Sequence, residues 1–142
     1  MVRMPEDLVQ LFKEWHTIPV ATVGKDGKPN VAAKSVMVWD SGTLIWGELY
    51  FRQTYENLKQ NPIASICVWQ KKPPFLAYKV NGRVEIHEDD TLAIQLDERM
   101  RVGHAEIVFT PRRERMAAFV FRVEEIYDQT HRLESGGKRI SL

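Results

Sequence analysis

Leu8, Leu11, Phe12 and Trp15 recur at i, i+3, i+4 and i+7, the spacing of one helix face. Pro5 in the first turn, with Glu6 and Asp7 at the positive end of the macrodipole, suits a helix start, so the pattern predicts an amphipathic helix over 5–15. The period then changes to strand-like runs over 18–23, 30–39 and 43–51. Gly24-Lys25-Asp26-Gly27-Lys28 and Asp40-Ser41-Gly42 separate them. Asp-Gly between β-rich runs is a strong hairpin signal, because glycine supplies the positive φ that the turn requires. The pattern predicts three antiparallel strands in a meander.

Thr54 is placed to cap a short helix over 55–60, with Glu56 near its positive end and Asn61-Pro62 stopping it. The run 65–70 reads as a strand and Lys71-Lys72-Pro73-Pro74 as a stiff exposed loop. The run 75–87 is again β-rich but contains Asn81-Gly82, which allows a hairpin or one long strand bent by a glycine bulge. Asp89 or Asp90 caps a helix through about 102, with Gly103 placed to end it. A last strand over 117–127 precedes a polar tail, from about 129, that holds Gly136 and Gly137. The order αβββαββαβ argues for a small β-barrel with accessory helices rather than a parallel sheet.

Composition narrows the function classes. With 142 residues, 44% hydrophobic and 27% charged, the chain reads as a single domain over 1–142. A formal charge of +1 gives no basic field of the kind that nucleic-acid binding needs. No apolar run approaches the roughly 18 residues of a membrane span, and Arg3, Glu6 and Asp7 do not fit a secretory signal, so a cytoplasmic location is expected. His16, His87, His104 and His131 show no metal-ligand spacing. Cys67 is the only cysteine, which excludes an intrachain disulfide; alternating with Ser65 and Trp69, it reads as a buried small hydrophobe.

The informative segment is Tyr50-Phe51-Arg52-Gln53-Thr54, where a strand passes into a short helix. Free backbone N–H groups at a helix start attract an anion, to which Arg52 adds a forked cation and Thr54 a hydroxyl, together a phosphate cup. The competing reading makes Thr54 a helix cap and Arg52 a solvated surface charge. Ala32, Ala33, Lys34 and Ser35, with Gly47 on the next strand, leave a patch lacking bulk. Such a patch suits a flat ligand lying close to backbone, or close packing by a neighbouring element.

Ala21-Thr22-Val23, Gly27-Lys28-Pro29-Asn30, Gly42-Thr43-Leu44-Ile45, Arg52-Gln53-Thr54, Asn57-Leu58 and Asn61-Pro62, taken in order, resemble the pyridoxamine 5'-phosphate oxidase-like FMN-binding split barrels, above all their small FMN-binding proteins. The resemblance covers roughly residues 5 to 127. It implies a mainly β (α+β) fold, a six-stranded antiparallel split β-barrel with short accessory helices, and one long strand with a bulge at Gly82. It also implies a homodimer with FMN at the interface, the isoalloxazine against strand two and the phosphate at the helix after strand three. On this chain those positions are Ala33, Lys34 and Ser35 for the ring edge, Tyr50 lining the pocket, Arg52, Gln53 and Thr54 for the phosphate, and Lys34 or Lys79 for positive charge.

Where the family usually places Arg-Lys or Lys-Thr, this chain has Gln53 and Thr54, with Arg52 displaced by one. That departure keeps a deazaflavin or haem open beside FMN. The resemblance implies an FMN-dependent oxidoreductase of a small-molecule or electron-transfer substrate, with a non-catalytic carrier or sensor as the alternative. Arg132-Leu133 is followed by Glu134 and Ser135 rather than the x-Pro of true pyridoxamine phosphate oxidases, which argues against vitamin B6 oxidation.

Overall fold

Helix α1 (Glu6–Glu14) starts behind Pro5, whose φ of −62° suits the entry, and carries Glu6 and Asp7 in its first turn and Lys13 in its last. Its stripe of Leu8, Leu11 and Phe12 is buried. The computed structural model describes residues 2–48, 50–103, 117–130 and 136–140. Among these residues the order continues β1 (Ile18–Val23), β2 (Pro29–Lys34), β3 (Met37–Asp40), β4 (Thr43–Glu48), α2 (Gln53–Gln60), β5 (Ile63–Trp69), β6 (Ala77–Glu88), α3 (Thr91–Gly103), β7 (Ala117–Asp128) and the two-residue β8 (Lys138–Arg139). No helix among them is long and apolar enough to cross a membrane.

The Asp26-Gly27 hairpin forms as expected. Gly27 has φ +78° and donates to the Gly24 carbonyl at 2.9 Å, while Asp26 Oδ1 accepts from the Lys28 amide at 3.0 Å. The meander does not continue. The run expected as one strand over 30–39 breaks at Ser35-Val36, and its halves pair with different partners, β2 with β1 and β3 with β4.

Pairing everywhere is antiparallel along the path β2-β1-β5-β6-β7-β4-β3, with β8 beside β7. Two consecutive segments thus hold opposite ends of one hydrogen-bonded path. Because two residues reach only about 7 Å, the sheet has to curl until its ends meet. The result is a split barrel with seven strands in its path rather than six, the extra one arising from this break.

Register sorts the faces. Val20 pairs with Ala32 and Ile66, Ile66 with Val80, and Val80 with Ile126; these large side chains are fully buried and form the core side. The adjacent row Val31, Ala21, Ser65, Asn81 and Glu125 lies on the outer side. Cys67 belongs to that outer parity and is exposed, correcting the expectation of burial, because Ile66 and Val68 take the core positions. Helix α3 covers the other end of the sheet, packing Ala93 and Leu96 on Ile45, Ala118 and Val120. Asp90 is its cap, accepting from the Ala93 amide at 3.0 Å, and that bond, followed by the one from His87, holds the Asp90 carboxyl below the usual aspartate range.

Asn81-Gly82 lies inside the single long strand β6, not in a hairpin. The pairing of β6 with β5 is unbroken across Gly82, whereas its pairing with β7 moves from Asn81↔Glu125 to Gly82↔Val123. The inserted residue is therefore Glu124 on β7. Glycine is needed opposite it because the Phe121–Arg122 backbone and the Phe121 ring come close.

Candidate functional site

Helix α2 is seated on the β1–β2 hairpin by polar contacts. Asn57 Nδ2 donates to Thr22 Oγ1 at 3.0 Å, Gln53 Nε2 to Asn57 Oδ1 at 2.7 Å, and Asn30 Nδ2 to Thr54 Oγ1 at 3.3 Å. Thr22, Thr54 and Asn57 are buried, where polar groups cost free energy unless paired, so the network selects one seat for the helix. A Cβ at Gly24 would stand 3.0 Å from Asn57 Oδ1, so this glycine gives the seat its room.

The entry to α2 is strained. Phe51 takes φ +50°, a left-handed conformation costing a bulky residue about 1–3 kcal/mol, and its ring stands edge-on to Tyr55 with centroids 5.0 Å apart. Arg52 follows in the N-cap position at φ −99° and ψ −145°, and its side chain makes no capping hydrogen bond. The expected Thr54 cap is thus corrected. Thr54 is the second helical residue, 3% exposed, and its hydroxyl oxygen accepts from Asn30 because the tertiary contact with β2 turns it inward. Arg52 is exposed, and its side chain makes no capping bond to the first turn. That combination suits an anion.

Lys34, the last residue of β2, donates from Nζ to both carboxylate oxygens of Glu48, at 3.0 and 2.9 Å. Glu48 is 1% exposed and Lys34 15%. The two occupy facing positions if the β3–β4 register, Met37↔Ile45, is carried three residues further. The pair therefore spans the split where β2 leaves one end of the sheet for the other, and the charge of Lys34 is balanced within the chain.

The structure brings part of the expected set together. Gln53 and Thr54 meet the β1–β2 hairpin, Arg52 flanks them, and exposed Tyr50 precedes by two residues. Lys34 lies at the far end of the same β2, its side chain on the core side with Ala32, while Ala33 is exposed on the outer side. Ala32 and Ala33 thus serve opposite faces rather than one flat patch. Exposed Ser35 lines a cleft of about 310 Å³ with Phe12, Trp15, His16 and Val36, on the side of α1. Lys79 is not brought to these residues within one chain. It lies on the outer side of β6, three strands from β2, with Nζ 4.4 Å from the Tyr127 ring centroid.

Asn30, Asn57 and Glu48 were not among the expected site residues. The asparagines entered only through the ordered resemblance, and Glu48 had one local signal, a carboxylate inside an apolar run. Residues 131–135, which include Arg132 and Leu133, lie outside the described residues, as does His104.

A curled antiparallel sheet whose two ends are joined through β2 and β3, with a short helix seated beside its second strand, defines the class of small split barrels. The model of the pyridoxamine 5'-phosphate oxidase family matches residues 4–130, and the chain belongs to that family. Among solved structures, HupZ of Group A Streptococcus is 22% identical with a TM-score of 0.75, covering 97% of this chain and 99% of its own. A Lactobacillus delbrueckii protein that carries the same family's name is 28% identical with a TM-score of 0.68, over 88% of this chain and 93% of its own. An F420 reductase is 25% identical with a TM-score of 0.71, over 87% of this chain and 98% of its own.

Proposed function

We propose that the chain binds FMN and acts as an FMN-dependent oxidoreductase. The observation that carries the reading is the uncapped start of α2, flanked by Arg52 and fixed against β2 through Thr54 and Asn30. First-turn amides and the Arg52 guanidinium hold the phosphate, and the strained Phe51 backbone sets the angle at which Arg52 enters. Gln53 adds no charge; its amide nitrogen is engaged by Asn57. Glu48 orients Lys34 near the end of β2 and balances its charge, so Lys34 acts here as a fixed hydrogen-bond donor. A bound flavin supplies the electron or hydride chemistry, and the protein supplies its placement.

Arg52→Ala is expected to remove a charge-assisted bond, weakening FMN by roughly tenfold or more while leaving riboflavin affinity unchanged. Fluorescence titration of the apoprotein with both flavins checks this. Equal loss for FMN and riboflavin, or no loss for either, would remove the phosphate from this helix. A deazaflavin is the second reading, favoured by the likeness to the F420 reductase; titration with that cofactor in the same assay decides between them.

The reading includes a homodimer in which a second copy covers the outer side of β2, β1 and β5. Val31 is 66% exposed there, and exposed Ile63 lines a shallow cleft with Ala21 and Val23. Apolar residues clustered on a sheet face favour burial in an interface. Sedimentation at low concentration should give a dimer for the wild type and a shift toward monomer for Val31→Lys. A monomeric wild type that still holds FMN tightly would overturn the interface model.

A further inference from the structure

We infer that Tyr55 is the positioning residue of the α2 site: its ring and its hydroxyl together fix the strained turn that aims Arg52 at the phosphate. This rests on the phosphate reading of that helix and adds to it the residue that holds the cation in place.

The need for such a residue follows from the backbone. Phe51 occupies the left-handed region at φ +50°, a sparsely populated conformation that a bulky residue keeps only where its surroundings enforce it. Arg52 stands one residue further on, exposed and without a capping bond. A long exposed side chain has many rotamers, and ordering it against a ligand costs less the more firmly its backbone is held.

Tyr55 supplies two restraints. Phe51 precedes the N-cap residue and Tyr55 is the third residue of the helix, so the edge-on contact of their rings, centroids 5.0 Å apart, staples the incoming chain to the first turn. A staple of this kind fixes the angle at which a chain enters a helix. The Tyr55 ring is itself held, 4% exposed and 6.2 Å by centroids from buried Phe119. The second restraint is polar: Tyr55 Oη donates to Glu88 Oε2 at 2.9 Å, tying the helix start to the last residue of β6.

Register shows what that anchor belongs to. Glu48 of β4 and Glu88 of β6 both pair with Ala117 of β7. Directly paired residues share a face of the sheet, so the two carboxylates flank one alanine, Glu48 holding Lys34 and Glu88 holding Tyr55. The strained turn lies between β4 and α2 and is thus braced on both sides from one end of the barrel, by the Lys34–Glu48 pair before it and by the Tyr55–Glu88 bond after it.

The test is fluorescence titration of apoprotein variants with FMN and with riboflavin. Tyr55→Phe keeps the ring and loses the Glu88 bond; it should weaken FMN by about fivefold, within the range of one hydrogen bond, and leave riboflavin unchanged. Glu88→Ala should match it, whereas Glu88→Gln, which still presents an oxygen to the hydroxyl, should bind FMN like the wild type. Phe51→Gly takes the left-handed turn without strain but has no ring to staple, and should lose FMN affinity by at least as much. Because Tyr55 acts through Arg52, adding Tyr55→Phe to Arg52→Ala should cost nothing further.

The role of Tyr55 is overturned if Tyr55→Phe or Phe51→Gly binds FMN like the wild type, or if Glu88→Gln binds it as poorly as Glu88→Ala. Equal weakening of FMN and riboflavin in Tyr55→Phe, the mark of a merely structural contact, overturns it too, as does a loss that adds in full to that of Arg52→Ala. If Arg52→Ala itself binds FMN like the wild type, the phosphate reading falls and takes this inference with it; a loss in Arg52→Ala without one in Tyr55→Phe overturns the role of Tyr55 alone. Should Phe51→Gly fail to fold, the Tyr55 and Glu88 variants still decide.

Discussion

Glu48→Ala is expected to destabilise the fold by about 3 kcal/mol, because it leaves the Lys34 ammonium in a site built for an ion pair. Breaking a buried pair by removing one partner costs about 3–5 kcal/mol, and the lower end applies here since Lys34 keeps 15% of its side-chain surface and can extend its stem toward water. Both carboxylate oxygens of Glu48 are bonded to the one nitrogen, so the loss is of two charge-assisted contacts at once. Lys34→Ala leaves the opposite problem, a carboxylate at 1% exposure without its partner.

Urea denaturation of the two single variants and the double closes a thermodynamic cycle. A coupling of at least about 1 kcal/mol is expected, with the double variant less damaged than the sum of the singles. If Glu48→Ala melts within about 0.5 kcal/mol of the wild type, the pair has the small energy of a solvated surface bridge and does not close the barrel. Because the pair sits at the end of β2 and shortly before the Phe51–Arg52 junction, the proposed FMN site predicts that its loss also weakens FMN binding where the fold survives.

How much of this was legible in the sequence depends on whether the relevant contacts are local. The 3.6-residue spacing of Leu8, Leu11, Phe12 and Trp15 located α1 to within a residue at each end, and Asp26-Gly27 located the first hairpin, because both signals act over a few residues. The break at Ser35-Val36 has no such signal. Alternation shows that 30–39 is extended but not that β2 and β3 pair with opposite ends of the sheet.

The exposure of Cys67 escapes local rules for a related reason. Both parities of β5 carry apolar side chains, Ile66 and Val68 on one and Cys67 and Trp69 on the other, and only the position of the core decides between them. Thr54 looked like a cap by local rules, yet Asn30, 24 residues earlier, takes its oxygen. The family's ordered residues supplied what local rules left open, including the choice of one bent strand at Asn81-Gly82. The bulge lies at Asn81–Gly82 as the resemblance implies, with Glu124 of β7 as the extra residue of the pair.

That bulge carries the second large effect. Gly82→Ala is expected to cost about 3 kcal/mol or more, by sterics alone. Gly82 lies outside the left-handed region, so alanine could adopt its backbone conformation, and the gain from restricting the unfolded chain would be about 0.4–1 kcal/mol. The obstacle is space. A Cβ at this position overlaps the Arg122 carbonyl oxygen and stands 2.6 and 2.8 Å from Phe121 Cζ and Cε1.

Phe121 is fully buried, with its ring centroid 6.4 Å from that of Trp46, and the Arg122 carbonyl belongs to the strand paired with β6. Neither can retreat without disturbing the core or the ladder, and overpacking of that kind costs about 1–3 kcal/mol even where side chains alone must move. Combining Gly82→Ala with Phe121→Leu separates the two obstacles: trimming the ring should recover only part of the loss, because the carbonyl remains. A Gly82→Ala protein with the urea midpoint of the wild type would show that β7 is free to move away from β6 at the bulge. Full recovery in the double variant would show that the ring, and not the backbone, sets the requirement for glycine.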